Sequence, residues 1–318
     1  MKQNVDDYSQ FASEYLNRGL RAPALEMMTR LMQFRSELKD KDPTKYSCIK
    51  AIVNSAYGVF ASPSFRLFMP EIAAKVTEAA RKGLVFVING AEKREAKIIY
   101  GDTDSILIQI DKDKVADLVK YLNDNLMDIG DYEIKFEKYF EKFCNLGTKK
   151  RYFGICGGDK LEIKGFEEVR TDSSKLTKII QENIMRMVLK LDKEAILSYL
   201  KNIASEFDKY SYEDIAIPKG LSRELSNYKV DIDYVRGAKW FKEHYKIGIA
   251  AGEKAYFLYT RKPTSVITVP DMDMFKMVEG LEVDKNKMLQ RVVVKPIEDL
   301  IAMVDLSWKE IEGQSRMF

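Results

Sequence analysis

The sequence predicts an α+β fold, and three observations predict it. Helical patterning covers residues 23–62 and again 173–210. Between them an Ile-rich, period-two stretch at 96–110 carries turn residues at its centre. Further strand-like pieces follow at 133–140, 149–156 and 160–169, which together imply an antiparallel sheet.

The first helix starts near Pro23, which suits an early helical position, and ends before Pro43. A second runs from about Lys45 through Phe60. The DKDPT linker is short, so the two form an antiparallel hairpin. A third helical pattern, PEIAAKVTEAARKG, follows and is expected to stop at Gly83. The stretch 96–110 is a β-hairpin, and residues 114–130 are a helix. Residues 173–210 read as helical throughout, and the remainder mixes short strands and helices without an internal repeat.

Composition narrows the chemistry. The chain has 318 residues, 52 Lys+Arg against 49 Asp+Glu, and a net charge of +3. Its one histidine, His244, removes His-rich zinc clusters and any relay needing two imidazoles. Cys48, Cys144 and Cys156 are odd in number and lack C-x-x-C spacing, which argues for a reducing compartment. The N-terminus is polar, and the longest strongly apolar run, Leu84 to Ile88, is far short of the ~20 residues that span a bilayer. The expectation is a soluble, cytoplasmic protein, with no membrane partner, whose chemistry rests on carboxylates, lysines, arginines and tyrosines. The charge excess is local. Residues 18–50 hold eight Lys/Arg and four Asp/Glu; residues 135–190 hold thirteen and eight.

Three constellations lie in or between those regions. In Tyr100-Gly101-Asp102-Thr103-Asp104-Ser105, residues i and i+2 project to one side, so Asp102 and Asp104 point together from the hairpin tip. Two close carboxylates want a cation, and hard oxygens without His or Cys select magnesium or manganese. A bare exposed D-x-D turn is the competing reading. In the second helix Lys50, Asn54 and Tyr57 share a face, successive members about 40° and 60° apart at 100° per residue. On the opposing helix Arg35 and Lys39 are four apart. Three cations converging from two helices would bind a triphosphate well, although Arg35 and Lys39 alone read equally as solvated residues in a last helical turn. The third group is Lys149-Lys150-Arg151-Tyr152 with Lys164-Gly165-Phe166-Glu167, cations beside aromatics on strands that suit contacts to a nucleic-acid backbone.

In this order the motifs resemble the family B DNA polymerases. Lys50 to Gly58 looks like the family's fingers motif, and Tyr100 to Ser105 like its palm motif. Thr77-x-x-x-Arg81 resembles the helix between them, with Ala80 where glycine is usual. Lys150-Arg151-Tyr152 and Lys164 to Glu167 resemble elements that grip primer–template duplex, and Ile217 to Gly220 and Tyr234 to Ala238 resemble thumb segments.

The resemblance implies an antiparallel helical fingers hairpin at 1–62, the C-terminal part of a palm with antiparallel sheet at 63–171, and a mainly helical thumb with tail at 172–318. It makes Asp104 a ligand of two magnesium ions (manganese being the alternative), with Asp102 supporting. Arg35, Lys39 and Lys50 would hold the triphosphate of a deoxynucleotide, and Asn54 and Tyr57 would line the nascent base pair. Lys149, Lys150, Arg151, Tyr152, Lys164 and Gly165 would contact DNA.

One departure matters. The family's other palm aspartate, from a D-x-x-S-L-Y-P-S type motif, is not in this sequence, and Asp305-Leu306-Ser307-Trp308 is only a superficial echo. The upstream exonuclease motifs are absent too. The expectation is therefore the C-terminal catalytic subunit of a split polymerase, completed by an N-terminal subunit that carries the exonuclease and the first palm motif. Val294-Lys295-Pro296-Ile297 looks closest to replicative polymerases of large tailed phages, which would place the chain in an infected bacterial cell. The terminal Gln314-Ser315-Arg316-Met317-Phe318 reads either as a sliding-clamp tail or as a frayed end. The runner-up is a non-catalytic DNA-binding or assembly subunit; a shortened piece of a longer polymerase is the third reading.

Overall fold

A computed structural model describes residues 23–65, 68–126, 132–230 and 232–315. The chain divides into two compact units, residues 1–137 and 138–318.

The first unit opens with helices α1 (Pro23–Leu38) and α2 (Pro43–Ala61). Asp42 caps α2 by accepting from the Lys45 amide at 3.0 Å, and Pro43 occupies the first turn, where its missing N–H costs nothing. One face of α2 buries Ile49 and Phe60 and half-buries Val53 and Ala56. Helix α3 (Pro70–Glu92) does not stop at Gly83, as the sequence reading expected; it continues for nine more residues. A helical glycine costs only about 1 kcal/mol against alanine. The segment beyond it buries Val87, Gly90 and Ala91, which repays that cost through packing.

Strands β1 (Lys97–Asp102) and β2 (Ser105–Gln109) pair antiparallel, with Asp102 opposite Ser105. The ladder shifts between Ile98 and Tyr100, a bulge at Ile99. Helix α4 (Val115–Leu126) brings Leu118 and Leu122 onto Val87, Ala91 and Ala96, with Ile98, Ile106 and Ile108 packed around them. Residues 133–139 were expected to be strand, yet no ladder forms there. Asn123 replaces the neighbour strand: its Nδ2 donates to the Ile134 carbonyl and its Oδ1 accepts from the Ile134 amide, both at 2.8 Å.

In the second unit β3 (Phe140–Asn145), β4 (Tyr152–Cys156) and β5 (Lys160–Lys164) form an antiparallel sheet. The helical stretch expected across 173–210 is two helices, α5 (Lys175–Val188) and α6 (Lys193–Glu206). Leu191 turns left-handed at φ 57°, and Asp192 then caps α6 by accepting from the Ala195 amide at 3.0 Å. After the short helix α7 (Tyr212–Ile215), β6 (Ile217–Gly220), β7 (Lys254–Lys262) and β8 (Val266–Val269) make a second antiparallel sheet, with β9 (Glu282–Val283) against β7. Helix α8 (Asp233–Tyr245) lies directly on β8. Gly237 permits this approach, because a Cβ there would come within 2.6 Å of Thr268 Oγ1.

Helix α9 (Lys285–Leu289), a π-helical turn over Gln290–Val294, α10 (Lys295–Ala302) and α11 (Trp308–Ser315) complete the unit. One continuous core joins Phe153 and Phe166 to α5, both segments of the second sheet and the C-terminal helices. Buried polar groups in it are satisfied: Thr177 donates to the Val292 carbonyl at 2.6 Å, and Gln181 to the Pro296 carbonyl at 2.6 Å. The three cysteines are free, and burial pushes the Cys144 thiol up from its ordinary range. His244 stacks on Trp240 at 4.1 Å, a packing role. Among the described residues no helix is long and apolar enough to cross a membrane.

Candidate active site

The β1–β2 hairpin closes in a two-residue turn, Thr103-Asp104, flanked by the paired Asp102 and Ser105. Thr103 has φ 58°, a conformation glycine adopts freely and a β-branched residue adopts at a cost of about 1–3 kcal/mol. Local bonds hold it there. The Asp104 amide donates to the Asp102 carbonyl at 2.7 Å, and Thr103 Oγ1 donates to Asp102 Oδ1 at 3.1 Å. Asp102 is half-buried at the strand end, while Asp104 is exposed at the tip. The turn therefore presents one carboxylate to solvent and anchors the other.

Both donors are the hard oxygens that magnesium or manganese prefers. They are too few for a complete site. Among the described residues no three His, Cys, Asp or Glu side chains gather as a metal-binding group. The hairpin fits a share of a metal site in chemistry and falls short in number.

On the helical hairpin, α1 carries Arg35, Lys39 lies in the turn just after it, and α2 carries Lys50, Asn54 and Tyr57. Lys39, Lys50, Asn54 and Tyr57 are exposed, Tyr57 at 44%, whereas the neighbouring stripe Ile49, Val53, Ala56 and Phe60 packs inward. The polar stripe is thus the open face of α2. A residue outside the expected set joins it: Arg35 Nη2 donates to the Tyr46 hydroxyl at 3.1 Å. That bond chiefly pulls the Tyr46 hydroxyl below its ordinary pKa, and the charges of Arg35, Lys50 and Lys39 add to it. Arg35 thus reaches Tyr46 across the two helices. The available signal for Tyr46 was its position four residues before Lys50.

The third group splits. Lys149 and Lys150 occupy the exposed turn before β4, and Lys164 ends β5 opposite Tyr152. Tyr152 sits in an aromatic cluster, its ring 5.4 Å from Phe143 and 6.4 Å from Phe140. Arg151 turns toward the protein: Nη1 pairs with Asp299 at 2.7 Å, and the guanidinium lies 4.7 Å from the Phe166 centroid. Gly165, at φ 77°, is required by packing, because a Cβ would clash with the Lys150 carbonyl. Of the resembling thumb segments, Ile217–Gly220 is β6 and Tyr234–Ala238 lies in α8, with Lys219 paired to Asp172 at 2.7 Å. The C-terminal tail lies largely outside the described residues, which end at Ser315.

The family model for DNA polymerase family B matches residues 25–304. The chain is 27% identical to DNA polymerase 2 of Aeropyrum pernix over 296 residues, covering 89% of this chain and 36% of that protein. It is 27% identical to DNA polymerase 1 of Sulfolobus acidocaldarius over 277 residues, covering 83% and 30%. The solved family B DNA polymerase of Pyrobaculum calidifontis shares the fold, with a TM-score of 0.56 at 23% identity over 88% of this chain and 36% of that one. The chain belongs to DNA polymerase family B. It spans about a third of the length of the curated relatives it matches first.

Proposed function

We propose that this chain is the C-terminal catalytic part of a split family B DNA polymerase. In this reading residues 1–62 are the fingers, 63–171 the second part of the palm, and 172–318 the thumb and tail. The observation that carries it is the presence, within one compact unit, of a carboxylate-tipped hairpin and a helical hairpin that carries Arg35, Lys39 and Lys50.

Each residue then has a task in template-directed synthesis. Arg35, Lys39 and Lys50 hold the triphosphate of the incoming deoxynucleotide and take up charge on the departing pyrophosphate. Asn54 and Tyr57 line the nascent base pair. The primer 3′-oxygen forms a bond to the α-phosphorus as the bond to the bridging oxygen of the β-phosphate breaks, and pyrophosphate leaves. Asp104 and Asp102 contribute this chain's carboxylates to the reacting centre, Asp104 directly and Asp102 in support. Two magnesium ions, or manganese, when bound supply stabilisation of the attacking and leaving oxygens.

The donor shortfall at the hairpin motivates the partner. A polypeptide carrying the other palm aspartate, together with the exonuclease, completes the metal set. Lys149, Lys150, Tyr152, Lys164 and Gly165 lie along the primer–template duplex. Arg151 acts there through its bond to Asp299, by shaping the strand rather than as a free phosphate contact. A clamp-binding tail at 314–318 and a tailed-phage origin belong to the same reading.

Magnesium-dependent primer extension by the chain with such a polypeptide tests the proposal, and no template-directed incorporation would overturn it. The competing reading is a DNA-binding subunit without catalysis. It predicts salt-sensitive duplex binding but no nucleotide-dependent change on adding the complementary polypeptide.

A further inference from the structure

Arg35 and Tyr46 form a polar bridge between the two helices of the hairpin. Besides the 3.1 Å hydrogen bond, the guanidinium carbon lies 5.1 Å from the Tyr46 ring centroid. Tyr46 is half-buried and lies on the same face of α2 as the nucleotide-facing residues. Lys50 is about 40° from it, and Tyr57, eleven residues on, about 20°.

We propose that Tyr46 is the positioning residue of the triphosphate site, holding the Arg35 guanidinium across the hairpin while leaving its charge available to phosphate. This rests on the triphosphate reading given above.

The choice of anchor is the argument. A long arginine side chain binds an anion best when its fork is already aimed, because less freedom is then lost on binding. A carboxylate would aim it through a stronger bond, but would also neutralise it and compete with the ligand. Of the two carboxylates in the inter-helix turn, Asp42 caps α2 and pairs with Lys45 Nζ at 3.3 Å, and Asp40 is exposed. A tyrosine hydroxyl is a neutral acceptor. It consumes one of the five N–H donors of the guanidinium, and the ring adds a cation–π attraction that does not cancel charge. Lys50 follows Tyr46 by one turn on the same face of α2, so the anchor stands beside an expected cation of the site.

Two readouts on the full chain test this. The first is the order parameter of the Arg35 Nε–Hε group by NMR. The second is affinity for inorganic tripolyphosphate, followed through the Arg35 and lysine side-chain resonances. Wild type should show an ordered Arg35. Tyr46→Phe should loosen it and weaken tripolyphosphate by about tenfold, the lower end of the scale for one lost hydrogen bond to a charged group. Tyr46→Gln, a neutral acceptor, should recover most of that loss. Tyr46→Glu should order Arg35 yet bind tripolyphosphate more weakly than Tyr46→Phe, a split that a purely structural role does not produce. An ordered Arg35 with unchanged affinity in Tyr46→Phe, or equal affinities for the Gln and Glu variants, overturns the proposal alone. A wild type in which tripolyphosphate moves none of Arg35, Lys39 or Lys50 overturns the triphosphate reading, and this proposal with it.

Discussion

The two compact units differ in how they are held together. Residues 138–318 bury Phe153, Phe166, Phe241 and Phe275 completely, within a core that links two sheets to the C-terminal helices. In residues 1–137 the core that joins helices to the β-hairpin is built from smaller side chains, chiefly Val87, Ala91, Leu118 and Leu122, Phe60 is buried apart from it, and Met32, Phe34, Ile52, Phe65, Val76 and Val85 are exposed. Among the described residues the second unit exposes fewer such side chains, including Val169, Leu191 and Met277. The candidate metal and triphosphate residues all project from this thinly packed unit. The candidate site thus lies on the unit with the smaller core.

That contrast can be broken at several points. The largest effect is expected at the hairpin tip. Asp104→Ala should reduce primer extension by the completed polymerase about a thousandfold or more without preventing assembly; appreciable residual extension would remove Asp104 from the metal set. Next come the cores. Phe153→Ala should cost about 3–5 kcal/mol in urea unfolding of residues 138–318, whereas Val87→Ala in the first unit should cost about 2 kcal/mol. Equal costs would erase the difference in packing. Lys50→Ala should raise KM for the deoxynucleotide about tenfold, the scale of one charge-assisted contact, and unchanged nucleotide kinetics would take it out of the triphosphate site.

The smallest effect concerns acid stability. The Lys219 hydrogen bond holds the Asp172 carboxyl below its ordinary 3.8. A depressed folded pKa gives stability that is present above 3.8 and lost as pH falls through the lower folded value. Both side chains are more than a third exposed, so solvent screening keeps the gain under about 1 kcal/mol. Lys219→Met should flatten that acid limb in denaturation curves taken from pH 5 downward, and an unaltered limb would assign the loss to other carboxylates.

Much of this arrangement was legible in the sequence where local chemistry dominates. Pro23 and Pro43 bracket the first helix as expected, and the alternation around Asp102 and Asp104 marks the hairpin. The expectation failed where distant contacts decide. Gly83 reads as a stop, yet burial of Val87 and Ala91 carries α3 past it. Leu191 has no local signal for a left-handed residue, so the break before α6 was hidden inside continuous helical periodicity. Residues 133–139 have strand-like alternation, but their edge is met by the Asn123 side chain. Tyr46 escaped notice for a similar reason: its role depends on an arginine eleven residues away on another helix.

The contrast between the units is tested most directly by native-state hydrogen exchange on the chain alone. Amides of α5, β7 and α10, set in the large core, should exchange only through global opening, while those of α2 and α3 should exchange orders of magnitude faster through local opening. Uniformly slow exchange across both units would contradict the account, because the two cores would then be equally protective.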